Sequence, residues 1–377
     1  MDVAIASTIR NLPQRPLPLP QLYDEFFDDF LLADELGYSH IWQPEHHFAK
    51  DQHNPSALPV LAALARQTRR IRLGTYVLLL AFHHPILLAE EAAMIDILSH
   101  GRLDLAIGAG PMEAECEVFD IPRSETFGRT YEALQIVQKC WTEEEFSHHG
   151  KYFHFDNVRM TTKPVQRPHP PLFMAAVGPQ SAKRAATRGY GLAMALGPAH
   201  NTYLDALEGS GRSLDDVKLV SGPVAVHIAE TTEQAWDEAE EGLHAWISFY
   251  GDRGSPMAAG LPPVGELRKS DFTFGGMPFF VGSVEKVKQR MREFFAEAPL
   301  DELCLAFHHP GMSAEASRRA ITLFAEEVMP EARTWGDRTR RPEPPQHSAI
   351  GPKGCGTDDA RPSPWRAAAR AQRMPQI

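Results

Sequence analysis

Cysteine is scarce. The 377 residues hold four, Cys116, Cys140, Cys304 and Cys355, scattered and without a CxxC pair. That argues against a disulfide framework and fits a reducing compartment. Basic charge is in deficit: 38 Lys and Arg against 49 Asp and Glu leave a net charge of −11. This is the wrong sign for a protein whose main partner is nucleic acid. No apolar run approaches the ~18 residues of a membrane span. The N-terminus carries Asp2 where a secretion signal carries basic residues, so no signal peptide is indicated and a cytoplasmic protein is expected. The full dinucleotide fingerprint is missing too; Gly108-Ala109-Gly110 is a lone GxG, which by itself is weak evidence of a nucleotide site.

What remains is an ordinary globular balance, 43% hydrophobic and 23% charged, long enough for one large domain or two smaller ones. Short apolar runs read as strands at residues 3–7, 39–43, 70–80, 103–108, 172–176, 191–196, 219–229 and 302–307. Amphipathic segments follow each of them. The first, over 21–36, places Leu22, Phe26, Phe30 and Ala33 on one face and stops at Gly37. The run at 70–80 is too continuously apolar to have a wet face and belongs inside a parallel sheet. Eight strands, each followed by a helix, predict a (β/α)8 TIM barrel of class α/β. Two insertions are expected: a hairpin or loop over 150–170, and a Gly- and Pro-rich segment over 251–281, too long for a plain connection and read as a lid or a mobile segment. The barrel domain spans 1–333. The Pro- and Arg-rich tail, 334–377, has too few large apolar residues to offset ordering entropy and is expected to be disordered.

The stretch Ser39-His40-Ile41-Trp42-Gln43-Pro44-Glu45-His46-His47-Phe48 organises the functional reading. A strand that ends in Glu-His-His delivers imidazoles to the end of a barrel strand where chemistry sits. The alternative is a pair of hydrogen-bonded surface histidines. Neighbouring side chains on an extended run face opposite ways, so His46 and His47 diverge and chelate poorly. The other pairs, His83-His84, His148-His149 and His308-His309, also lack the spacing of a metal site. Gly178 and Ser181 open a helix after a strand; the turn is either an anion site or a simple cap. Arg129 is a cation for the same anion, or an arginine paired along its own helix.

Taken in order, Trp42-x-x-Glu45-His46-His47-Phe48, Asn54-Pro55, Leu73-Gly74-Thr75, His84-Pro85, Asp96, Gly101-Arg102, Ala185-Ala186-x-Arg188-Gly189, Val281-Gly282-Ser283 and Val328-Met329-Pro330 resemble the luciferase-like flavin monooxygenase family, the group that includes bacterial luciferase. The resemblance implies FMN in the barrel mouth, with His46 beside it as the catalytic base. It implies a non-proline cis peptide at Tyr76-Val77 under the flavin ring. Arg129 and the turn at Val177, Gly178 and Ser181 would hold the phosphate, and Glu45 and Trp246 would belong to the substrate pocket. Where luciferase carries a second phosphate arginine, this chain has Ala109. The implied activity uses reduced FMN (FMNH2) from a separate flavin reductase and O2, through a C4a-peroxyflavin, to oxygenate a small organic substrate. A homodimer is implied as well. An F420-dependent oxidoreductase on the same barrel, a non-catalytic flavin-binding barrel and a metal-dependent hydrolase are the alternatives.

Overall fold

The computed structural model describes residues 1–336 except 111, 177, 197, 198 and 254. The expected tail beyond residue 336 lies outside the described residues. The chain divides into two compact units: residues 4–175 with 308–321, and residues 1–3, 176–307 and 322 onward.

The first unit is built from strands β1 (Asp2–Ala6, shared with the second), β2 (His40–Gln43), β3 (Arg72–Leu79), β4 (Leu103–Gly108), the pair β5 (Phe146–His149) and β6 (His154–Val158), and β7 (Leu172–Ala175). Helices α1 (Leu19–Leu36), α2 (Ala57–Gln67), α3 (Pro85–Leu98), α4 (Glu113–Val118) and α5 (Thr126–Thr142) connect them. Helix α1 buries the face read from its periodicity, Leu22, Phe26, Phe30 and Ala33, and ends at Gly37 with φ 84°. β1 through β4 and then β7 pair in parallel, with Ile5 opposite Ile41, Gln43 opposite Thr75, Leu79 opposite Gly108 and Leu105 opposite Leu172. β5 and β6 form the inserted antiparallel hairpin.

The interior of this unit is set by Trp42, which is fully buried. Its ring stacks on His40 at 4.9 Å and meets Tyr76 and Phe173 at 5.2 and 5.7 Å. Gly74 on the neighbouring strand makes room for it: a Cβ there would sit 2.1 Å from Cζ3 of the indole. Below Trp42, His40 Nε2 donates to Asp104 Oδ2 at 3.0 Å, and Arg72 Nη2 donates to Asp104 Oδ1 at 3.0 Å. Burial alone pushes the Asp104 carboxyl up; the bonds and charges of His40 and Arg72 outweigh it and hold the group below its usual range.

The second unit contains helices α6 (Pro179–Arg188), α7 (His200–Gly209), α8 (Thr232–Gly251) and α9 (Val284–Phe295), and strands β8 (Gly191–Ala195), β9 (Leu219–Ser221), β10 (Val224–Ile228), β11 (Phe280–Gly282) and β12 (Glu302–Ala306). The single strand expected over 219–229 is two. Pro223 has no N–H to give a ladder, and the chain breaks at Gly222-Pro223 into β9 and β10. Both lie on β12, through Val220 opposite Glu302 and Val224 opposite Leu305. The segment expected as a lid over 251–281 ends in β11, which adds an edge to β10. It is pinned midway by Arg268, whose Nε donates to Glu240 at 2.6 Å and Nη1 to Asp237 at 2.7 Å, both on α8.

Helix α10 (Ala314–Leu323) continues through a π-helical stretch, Phe324–Val328, into α11 (Met329–Ala332). Trp335 is buried and the Gly336 N–H reaches Ala296 O at 3.0 Å. The strand order β1-β2-β3-β4-β7-β8-β9-β12-β10-β11, with β1 also paired to β12, is that of the (β/α)8 TIM barrel expected from the alternation. Among the described residues no helix is long and apolar enough to cross a membrane.

Candidate active site

After Gln43 the chain leaves β2 and forms a closed loop. The His46 N–H donates to Asn54 O at 3.1 Å, and Asn54 Nδ2 donates to Pro44 O at 3.2 Å. Asn54-Pro55-Ser56 reads in the sequence as a helix cap. Instead Asn54 ties this loop shut, and Ser56 occupies the N-cap position of α2 without a side-chain bond.

Glu45 sits at the base of the loop, 2% exposed. Its Oε1 accepts from Nε2 of His47 at 3.0 Å and from Nε2 of His83 at 2.7 Å. Its Oε2 accepts the backbone N–H of Leu79 at 2.8 Å, which ties the loop to the end of β3. Burial alone raises its pKa, but the hydrogen bonds from His47 and His83, the His83 charge and the Leu79 N–H prevail and bring it down to about 2. For His83 burial works downward, and the bond to Glu45 with the charges of Glu45 and Glu91 outweighs it, so its pKa is raised. Every strong acceptor position of Glu45 is thus engaged inside the fold.

The two adjacent imidazoles diverge. His47 packs edge-on against Phe119 at 4.8 Å, beside Phe82. His46 faces His53, ring centroids 4.5 Å apart, and its Nδ1 lies 3.8 Å from Oε1 of Glu115 on α4. The same Glu115 oxygen accepts the His47 backbone N–H at 2.9 Å. His83, Glu115 and His53 therefore join the cluster, although only the histidine pair at 83–84 stands out in the sequence. Glu115 lies in a stretch without period, and nothing local marks it. Among the described residues no group of three or more His, Cys, Asp or Glu side chains is placed to hold a metal ion.

The end of β3 lies next to this cluster through the Glu45–Leu79 bond. The Tyr76–Val77 peptide is cis, at the position the resemblance implies. The register with β4 shifts between Tyr76 and Leu78. Val77 is only half-buried, whereas Leu73 to Tyr76 and Leu78 to Leu80 are all buried. Gly108, on β4, accepts it closely: a Cβ at Gly108 would meet Val77 Cγ2 at 2.5 Å. Ala109 follows, 9% exposed, and then Gly110 with φ 60°.

Arg129 stands in the first turn of α5. Its Nε donates to Glu125 at 3.1 Å and its guanidinium lies 5.1 Å from the Tyr152 ring centroid. Its terminal nitrogens make no hydrogen bond among the described residues. In the second unit, Gly178 is the N-cap of α6; its N–H donates to Ser181 Oγ at 3.3 Å, and that hydroxyl donates to Gly178 O at 2.8 Å. Trp246 is buried on α8 with Phe274 at 5.8 Å. Val177 lies outside the described residues.

Comparison with known proteins bears on this arrangement. The oxygenase component of the flavin-dependent trigonelline monooxygenase of Acinetobacter baylyi is 28% identical, over 82% of this chain and 90% of its own length. An F420-dependent glucose-6-phosphate dehydrogenase of Amycolatopsis mediterranei is 25% identical, over 81% of this chain and 93% of its own. Among solved structures, the monooxygenase RslO1 of Streptomyces bottropensis matches with a TM-score of 0.75 at 27% identity, covering 88% of this chain and 100% of that one. Residues 1–302 of the 377 match the luciferase-like monooxygenases, and the chain belongs to that family.

Proposed function

We propose that this protein is the oxygenase component of a two-component flavin monooxygenase, taking reduced FMN from a separate flavin reductase and oxygenating a small organic substrate. The observation that carries the reading is the junction of β2 and β3. There His46 stands on a loop tied by Glu45 to the strand end that carries Val77, which is a fitting place for a proton-handling imidazole. The likeness to a named oxygenase component along most of both chains supports it.

The residues present fit a flavin. Val77 is an apolar side chain left half-exposed in an otherwise buried strand, packed closely beside Gly108, which makes a floor for a planar ring. Arg129, with its terminal nitrogens unbonded to the described residues, is a fitting cation for the phosphate. Bound reduced FMN supplies the electrons with which O2 is activated and one oxygen atom is passed to the substrate. His46 takes and returns the proton that this chemistry requires. Glu45 acts by anchoring His47 and His83, which fixes the loop under His46. The aromatic side chains of Phe82 and Phe119, stacked at 4.7 Å around His47, keep water from that flank. Helix α3 exposes Leu87 and Met94, two turns apart, and a homodimer through this face is part of the proposal.

The test is rapid mixing of the anaerobic protein and reduced FMN with O2, followed by flavin absorbance. Protein is expected to change the course of reoxidation, and His46→Ala to change it again by at least tenfold in rate. Reoxidation at the rate of free flavin in both cases overturns the proposal. A second reading, an F420-dependent oxidoreductase, is supported by the F420-dependent relative. Tight binding of reduced F420 with no binding of reduced FMN would select it.

A further inference from the structure

His46 and His47 leave the same loop but meet different carboxylates. Glu45 holds His47. Glu115, on α4, comes from the other side and is 1% exposed. Its Oε1 accepts the His47 backbone N–H at 2.9 Å and lies 3.8 Å from Nδ1 of His46. Its Oε2 is buried and has no hydrogen-bond partner among the described residues. A carboxylate out of water with so few donors is under-satisfied. The Nδ1 position of His46 is a donor within reach, since closing the gap to hydrogen-bond length takes about 1 Å of ring movement.

The flank of the ring is defined as well. His53 packs at a tilt against His46, and His53 Nδ1 meets Nη2 of Arg10 at 2.9 Å. Arg10 is 1% exposed and also lies 3.6 Å from Asp51. A guanidinium only donates, so Nδ1 of His53 accepts; its proton is on Nε2 and the ring is neutral. The charged groups seen near His46 thus include Glu115 in front, and Arg10 with Asp51 behind His53.

We infer that Glu115 is a positioning residue for His46: it holds a proton on Nδ1 and so leaves the Nε2 lone pair as the atom that accepts a proton during turnover. This follows the logic by which a second group fixes the tautomer of a working histidine. It rests on the reading of His46 as the proton-handling group.

The experiment is a nitrogen-15 NMR titration of flavin-free protein labelled in histidine, with His46 assigned by its absence in His46→Gln. In the wild type the neutral ring is expected as the Nδ1–H tautomer. In Glu115→Gln, whose amide oxygen still accepts the His47 N–H and still faces Nδ1, the tautomer preference is weakened because the charge that strengthens it is gone. The midpoint then moves to lower pH by about one unit, the effect of removing a nearby carboxylate. An Nε2–H tautomer in the wild type overturns the inference, as does an unchanged tautomer and midpoint in Glu115→Gln. If Glu115→Gln does not fold, the wild-type tautomer alone decides, and Glu115→Asp, which keeps the charge but withdraws it, is expected to weaken the preference. Because no flavin is present, absence of this coupling sinks the role of Glu115 while leaving the oxygenation assay to judge the function separately.

Discussion

Replacing Glu45 by Gln tests the scaffold beneath the loop. The folded carboxyl titrates at about 2 against an ordinary value of 4.5. A difference of ~2.5 units corresponds to about 3 kcal/mol at 1.36 kcal/mol per unit. The folded value is the lower one, so the contribution is complete above pH 4.5 and is lost as pH falls toward 2. By the same linkage about 1.4 kcal/mol survives at pH 3. His83 has the opposite sign. Its folded value is raised, so its part of the interaction is complete below pH 6.5 and drains as pH rises through that raised value. Both shifts describe one ion pair and are not added, and the pair is at full strength between pH 4.5 and 6.5. An amide at position 45 cannot accept on both atoms. Either the Leu79 N–H or the two imidazoles then face an NH2 group instead of an oxygen. Urea unfolding of wild type and Glu45→Gln should differ by about 3 kcal/mol at pH 6, with the gap narrowing to less than half at pH 3. A gap below 1 kcal/mol at pH 6, or one that does not change with pH, would refute the reasoning.

Gly74→Ala should lower stability by about 2 kcal/mol or more, because the new methyl would lie 2.1 Å from the Trp42 ring in a packed interior; an unchanged melting temperature would show that the indole yields. Arg129→Ala should weaken reduced-FMN binding about tenfold in an anaerobic titration, the loss of one charge-assisted contact to a phosphate. Equal affinity in variant and wild type would remove Arg129 from the phosphate site.

The alternation of strands and helices was legible because parallel strands are buried on both faces and read as short continuous apolar runs. The break at Gly222-Pro223 was written in plain letters and was overrun by the apolar residues on either side. Helix α4, only six residues long, gives too little sequence for a period to declare itself. The cis Tyr76–Val77 bond was reached through the resemblance and not through the residues, since nothing in a Tyr-Val pair distinguishes it from any buried strand.

The candidate site shows a different limit. Glu-His-His announces that three ionisable groups lie at a strand end. It does not announce which of their lone pairs are already taken. Glu45 reads as a pocket residue, yet the fold engages both of its oxygens with groups two, 38 and 34 positions away, at His47, His83 and Leu79. Glu115 reads as nothing, yet it arrives from 68 positions beyond His47 to accept its N–H, with one oxygen left over. A carboxylate already saturated with donors stabilises a site and has little capacity left to exchange a proton near neutral pH; one with few donors that lies beside an imidazole can steer that imidazole's proton. Sequence places the titratable groups. The long-range hydrogen bonds decide which of them hold the loop in place and which are left to act on its histidine.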